Sequence, residues 1–73
     1  MPKLPVISGE EVIKALSKVG FSIRKGKGDH IILQRKEDYR NVVVPLHREL
    51  KPGTLRTIIK QSGLTVDEFV KLL

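Results

Sequence analysis

The hydrophobic period changes at Gly20, and no other feature of this 73-residue chain constrains its fold as much. Before that glycine, Val12, Ile13, Leu16 and Val19 recur at the three- and four-residue spacing of a helix with one apolar face. After it, Phe21 and Ile23 alternate with Ser22 and Arg24, the two-residue period of a strand buried on one side. A chain this short buries only about 60% of the surface its unfolded form exposes, so helix and strands must share a single core.

Local signals then mark the element ends. Ser8 and Glu11 form a capping box with Ile7 and Val12 at staple positions, which predicts a helix over about residues 9–19 closed by Gly20. Gly26-Lys27-Gly28 predicts a hairpin turn, followed by a strand over about residues 29–35. Lys36-Glu37-Asp38-Tyr39 reads as the next turn, and Asn41-Val42-Val43-Val44 as a third strand ended by Pro45. Pro52 suits a first helical turn, Leu55, Ile58 and Ile59 make an apolar stripe, and Gly63 closes that helix. Thr65 and Glu68 form a second capping box, with Leu64 and Phe69 as its staple and Val66, Phe69, Val70 and Leu73 facing inward. The order is α-β-β-β-α-α in one domain spanning residues 1–73. It predicts an α+β architecture with a three-stranded antiparallel sheet and the helices on one face, the topology of double-stranded-RNA-binding domains.

Fourteen Lys and Arg against eight Asp and Glu give a net charge of +6, which points to a polyanionic partner, most simply nucleic acid. With no cysteine there are no disulfides or thiolate metal sites, as expected of a protein in a reducing cytoplasm. No apolar run approaches the roughly 20 residues that span a bilayer, and Pro2 and Pro5 interrupt any signal-peptide-like stretch, so a soluble, unexported protein is expected. No metal or other cofactor is expected. Two histidines cannot hold zinc unaided, and the acids at 10, 11, 37, 38, 67 and 68 fall at helix starts or in a turn, where capping and solvation account for them. A small, marginal domain also favours a second copy or a protein partner.

His30 is the candidate reactive residue, because it stands where a glycine-loosened turn enters an apolar strand and so is held on a stiff support. If Ile31 and Leu33 face the helices, His30 and Gln34 face away. An imidazole can both accept and donate a proton near neutrality. His47, just past the third strand, is a candidate second acid or base, or a plain loop residue. Arg24, Lys25, Lys27 and Arg35 cluster in sequence around the hairpin; they fit phosphate contact, and equally the charges that keep a sheet edge from pairing. Gly28 belongs to the same turn. Gly53 and Thr54, at the start of a helix, offer backbone N–H groups to a phosphate or to ordinary capping.

Val19-Gly20-Phe21, then Lys27-Gly28-Asp29-His30, then Val43-Val44-Pro45-Leu46-His47, then Lys51-Pro52-Gly53-Thr54-Leu55-Arg56-Thr57-Ile58-Ile59-Lys60-Gln61-Ser62-Gly63-Leu64 together resemble the HicA toxins of bacterial and archaeal toxin–antitoxin pairs. Each block is weak singly, but their order and spacing cover nearly the whole chain. The resemblance implies a ribosome-independent mRNA interferase with a double-stranded-RNA-binding-like fold, held inactive by a HicB antitoxin. It assigns His30 as the catalytic histidine. The family's usual Gly-Ser-His reads Gly28-Asp29-His30 here, which removes a hydroxyl and sets a negative charge beside the imidazole.

RNA carries its own nucleophile in the 2′-OH. Cleavage therefore needs a base for that proton, stabilisation of charge on phosphorus, and a proton for the leaving oxygen; metal is not obligatory. With Phe21 and Phe69 assigned to the core, Tyr39 is the one free ring, so binding through the RNA backbone is expected rather than base stacking. Two other readings compete. A non-catalytic RNA-binding module would use the same basic surface without His30. A helix-turn-helix DNA binder is suggested by Ile59-Lys60-Gln61-Ser62-Gly63-Leu64-Thr65, but Asp67 and Glu68 would lead its recognition helix into DNA phosphates.

Overall fold

Both capping boxes form. The computed structural model describes residues 4–73, so Pro2 lies outside the described residues. Helix α1 runs Gly9–Ser17: the Glu11 backbone N–H donates to Ser8 Oγ, and the Glu11 carboxylate accepts from the Ser8 N–H, each at 3.2 Å. It stops at Ser17 rather than Val19, because the Lys18 and Val19 N–H groups turn back to the Ala15 and Leu16 carbonyls and tighten the last turn. Gly20 then takes a φ of 95°, a left-handed conformation that frees the chain to enter the sheet. Helix α2 is Pro52–Ser62, closed by Gly63 at φ 81°. In α3, Val66–Val70, the Thr65 and Glu68 box closes at 2.9 and 3.1 Å.

Strands β1 (Phe21–Lys27), β2 (His30–Arg35) and β3 (Arg40–Pro45) form an antiparallel sheet in that order. The first hairpin closes on Gly28-Asp29 alone, so Gly26 and Lys27 belong to β1 rather than to the turn. Gly28 at φ 60° supplies the positive angle that a type II′ turn needs at its first central residue. In the second turn Tyr39 takes φ 54°, and Asp38 is clamped between Arg35 and Arg40 at 2.8 and 3.1 Å.

All three helices lie on one face of the sheet. Val12, Ala15 and Leu16 of α1, Leu55, Ile58 and Ile59 of α2 and Phe69 of α3 close over Phe21, Leu33, Val42 and Val44. The predicted α+β architecture and α-β-β-β-α-α order are those observed, with the topology of a double-stranded-RNA-binding domain. Ile23 departs from expectation. It stands opposite Leu33 and so on the helix side, yet it is 61% exposed, because the helices cover only the Phe21 end of this edge strand. The other edge is covered: Gln61 of α2 accepts from the Val43 N–H at 3.2 Å. Among the described residues no helix is long and apolar enough to cross a membrane.

Gly9 is buried where α1 meets the end of β3, and a Cβ there would run into the Pro45 carbonyl oxygen. Gly9→Ala is therefore expected to lower unfolding free energy by about 1–3 kcal/mol, the usual cost of forcing an extra carbon into a packed site. Urea denaturation checks this, and unchanged stability would refute it.

The Arg35 guanidinium pulls the Asp38 carboxyl from its ordinary 3.8 to about 2. Because the unfolded chain takes up that proton first, the contribution is complete above the ordinary value and is lost as pH falls toward the folded one. Asp38→Asn should flatten the stability–pH curve between those two values. Unfolding midpoints across the acid range would show this; an unaltered slope would contradict it.

Candidate functional site

His30 opens β2, with Lys27 across from it on β1 and Pro45 on β3. Leu33 is buried and Ile31 packs against the core, so alternation sends His30, Ile32 and Gln34 to the open face of the sheet. The His30 side chain is 53% exposed.

The chain leaving β3 folds back over this end of the sheet. The Leu46 N–H donates to the Asp29 carbonyl at 2.6 Å, the Gly9 N–H to the His47 carbonyl at 2.9 Å, and the Leu50 N–H to the Ile7 carbonyl at 2.9 Å. These bonds pin the loop between the hairpin tip and the start of α1, and they carry His47 to Asp29. His30 Nδ1 lies 2.9 Å from Asp29 Oδ1, and His47 Nε2 lies 3.5 Å from Asp29 Oδ2. One carboxylate thus stands between two exposed imidazoles. The Asp29 carboxyl is held below its ordinary value, first by its own backbone N–H and then by the charge of His30. Beside His47 opens a cleft of about 210 Å³ lined by Ser8, Glu10, Leu46, His47 and Arg48.

A bulge in β1 concentrates positive charge on the same face. Ile23 pairs with Leu33 and Lys25 with Ile32, leaving Arg24 as the extra residue. Arg24 reaches Asn41 Oδ1 of β3 at 3.5 Å, and Asn41 stands opposite Gln34 on the open side. Arg24 and Lys25 therefore point the same way, which strict alternation would forbid. Lys27, opposite His30, shares that face, and Gly28 forms the turn beside it with open space around its Cα.

Arg35 does not join them. At the far end of β2 and on the helix side, its guanidinium lies 4.8 Å over the Phe21 ring and binds both Asp38 oxygens at 2.8 and 3.0 Å. Gly53 and Thr54 open α2, which packs on the helix side of the sheet, whereas the His30 side chain is on the open face. Gln61, near the C-terminus of α2, meets Val43 and Arg40 of β3, and Lys51 precedes the other end. Lys51 makes no side-chain cap there, Pro52 brings no N–H, and no acid occupies the first turn. In α3, only five residues long, Glu68 is used by its capping box. Among the described residues, no group of three or more His, Cys, Asp or Glu is placed to hold a metal ion.

Two parts of this arrangement were not read from the sequence: the bridging of both histidines by Asp29, and the bulge at Arg24. The second leaves no local signal. The first had one, since an acid directly before a histidine at a strand start can reach its ring.

A family model described as HicA toxin of bacterial toxin–antitoxin matches residues 9–64, a span that holds Asp29, His30, His47 and the Gly9 contact that pins their loop. The chain belongs to the HicA toxin family. Among solved structures it is similar to a chain titled "Toxin-Antitoxin complex from Streptococcus pneumoniae", with 36% identity and a TM-score of 0.68, covering 80% of this chain and 98% of that one. Nothing among the curated proteins matches. Within the matched span, Asp29 is the residue that lies against both imidazoles.

Proposed function

We propose that this HicA-family toxin is a metal-independent endoribonuclease that cleaves mRNA in the cytoplasm, with His30 and His47 as its proton-transfer pair. The observation that supports this most strongly is the convergence of both imidazoles on one carboxylate, at the end of a sheet whose open face carries Arg24, Lys25 and Lys27. One imidazole takes the proton of a ribose 2′-OH while the 2′ oxygen attacks the neighbouring phosphorus. The P–O5′ bond breaks, and the other ring, which enters the step as imidazolium, gives its proton to the departing O5′ and ends neutral. The products are a 2′,3′-cyclic phosphate and a 5′-hydroxyl, with no outside reactant consumed.

Charge gathering on phosphorus needs donors held in place beforehand. Lys27 and the Gly28 turn lie nearest His30, and Arg24 and Lys25 continue the track along β1. Arg35, bound to Asp38, is left to the fold. The solved relative's title names a toxin–antitoxin complex, and a basic, open active face of this kind suits an antitoxin of the HicB type, which would occlude it and stabilise the chain by mass action.

Removing a positioned acid–base group costs about 10² to 10⁴ in rate. His30→Ala is expected to lose cleavage of a defined RNA by that factor while keeping the wild-type melting temperature, and chelator should leave the wild-type rate unchanged. Retained cleavage by a folded His30→Ala protein, wild-type RNA left intact, or inhibition by chelator would each overturn the mechanism.

Binding to backbone phosphates must weaken with salt, by about 0.7 in the log–log slope for each contact on single-stranded RNA. On an RNA of 2′-O-methyl riboses, which lacks the nucleophile, Lys25→Gln should reduce the measured slope by about that amount and weaken different sequences alike. Salt-independent affinity would contradict the cationic track.

A further inference from the structure

We infer that Asp29 is a positioning residue that sets which nitrogen His30 offers to RNA, making His30 Nε2 the base. This rests on the ribonuclease reading above and assigns roles within it. An ionised carboxylate only accepts hydrogen bonds, so a ring nitrogen held against it must carry the hydrogen. At 2.9 Å from Asp29 Oδ1, His30 Nδ1 is that nitrogen, and the lone pair of the neutral ring is left on Nε2. His47 approaches the other oxygen through Nε2 at 3.5 Å, beyond the usual hydrogen-bond length, so the assignment concerns His30. The two rings approach the carboxylate through opposite nitrogens.

The Asp29 carboxylate is engaged by its own backbone N–H, and the main chain beneath it is fixed where the Asp29 carbonyl accepts from the Leu46 N–H at 2.6 Å, which ties the turn to the loop carrying His47. A carboxylate against a ring can orient it; losing the ring-orienting partner of a metal-bound histidine costs about 10- to 100-fold in activity, and a loss of that order is expected here. At the same time Asp29 is an anion on a surface that must approach phosphates. Its loss should therefore leave RNA binding intact or strengthened while the chemical step slows, a split that damage to the fold would not produce.

The test uses the full chain labelled with ¹⁵N, observing imidazole nitrogens at a pH where both rings are neutral. In wild type, His30 should carry its hydrogen on Nδ1, the reverse of the tautomer free histidine prefers. Asp29→Ala should shift His30 toward the Nε2–H form and lower kcat about 10- to 100-fold without weakening RNA affinity. Asp29→Ser, whose hydroxyl can still accept from Nδ1–H, should restore the Nδ1–H form and recover part of kcat. Retention of the Nδ1–H tautomer in Asp29→Ala, or an undiminished kcat, would overturn the assignment. If wild-type protein cleaves no RNA, the ribonuclease reading falls, and the tautomer comparison still decides whether Asp29 sets the His30 ring.

Discussion

Backbone hydrogen bonds at one end of the sheet, rather than the histidines themselves, decide whether this molecule has a site. Asp29 accepts from Leu46, His47 accepts from Gly9, and Ile7 accepts from Leu50. Each joins segments far apart in sequence, and together they bring the hairpin tip, the loop after β3 and the start of α1 into one small region. Remove that stitching and His30 remains on a strand end, but His47 has nothing to hold it near. A loop positions side chains less rigidly than a strand, and here the loop is held by main-chain bonds on both sides. Gly9 permits one of these approaches because it has no Cβ to meet Pro45.

Legibility in the sequence followed the range of the interaction. Capping boxes, helix-ending glycines and the two-residue period are local, and the elements they predict appear with ends displaced by a residue or two. The hairpin turn is a case in point: three candidate residues, Gly26-Lys27-Gly28, shared the signal, and cross-strand pairing of Lys27 with His30 moved the turn to Gly28-Asp29. What depends on pairing or packing was invisible. The bulge that turns Arg24 and Lys25 to one face exists only relative to β2, and the exposure of Ile23 reflects how far the helices reach across an edge strand. Arg35 reads in sequence as one of the hairpin cations with Arg24, Lys25 and Lys27; in the fold it is a structural arginine that stacks on Phe21 and closes the second turn on Asp38.

The departure at Asp29 has a larger meaning for the electrostatics of this chain. A protein with a net charge of +6 spends one of its eight acids beside its most exposed imidazoles, where a carboxylate works against phosphate approach. Such a placement makes physical sense when orienting the rings outweighs the repulsion. The neighbouring cations bear on that balance: Lys27 stands directly opposite His30, and the bulge adds Arg24 and Lys25 on the same face, so the surface around the carboxylate stays positive. Under the proposed ribonuclease reading, binding and proton transfer are divided between residues, with lysines and arginine to hold the polyanion and histidines to act on it.

The chemistry of a paired-imidazole site is written in the ends it leaves on RNA. Mass spectrometry of the fragments from one defined oligoribonucleotide, incubated with purified protein, distinguishes a 2′,3′-cyclic phosphate with a 5′-hydroxyl from a 3′-hydroxyl with a 5′-phosphate. The first pair of ends is expected. The second pair would mean that water, not the ribose, is the nucleophile, and that the two histidines and the carboxylate between them have been given the wrong reaction.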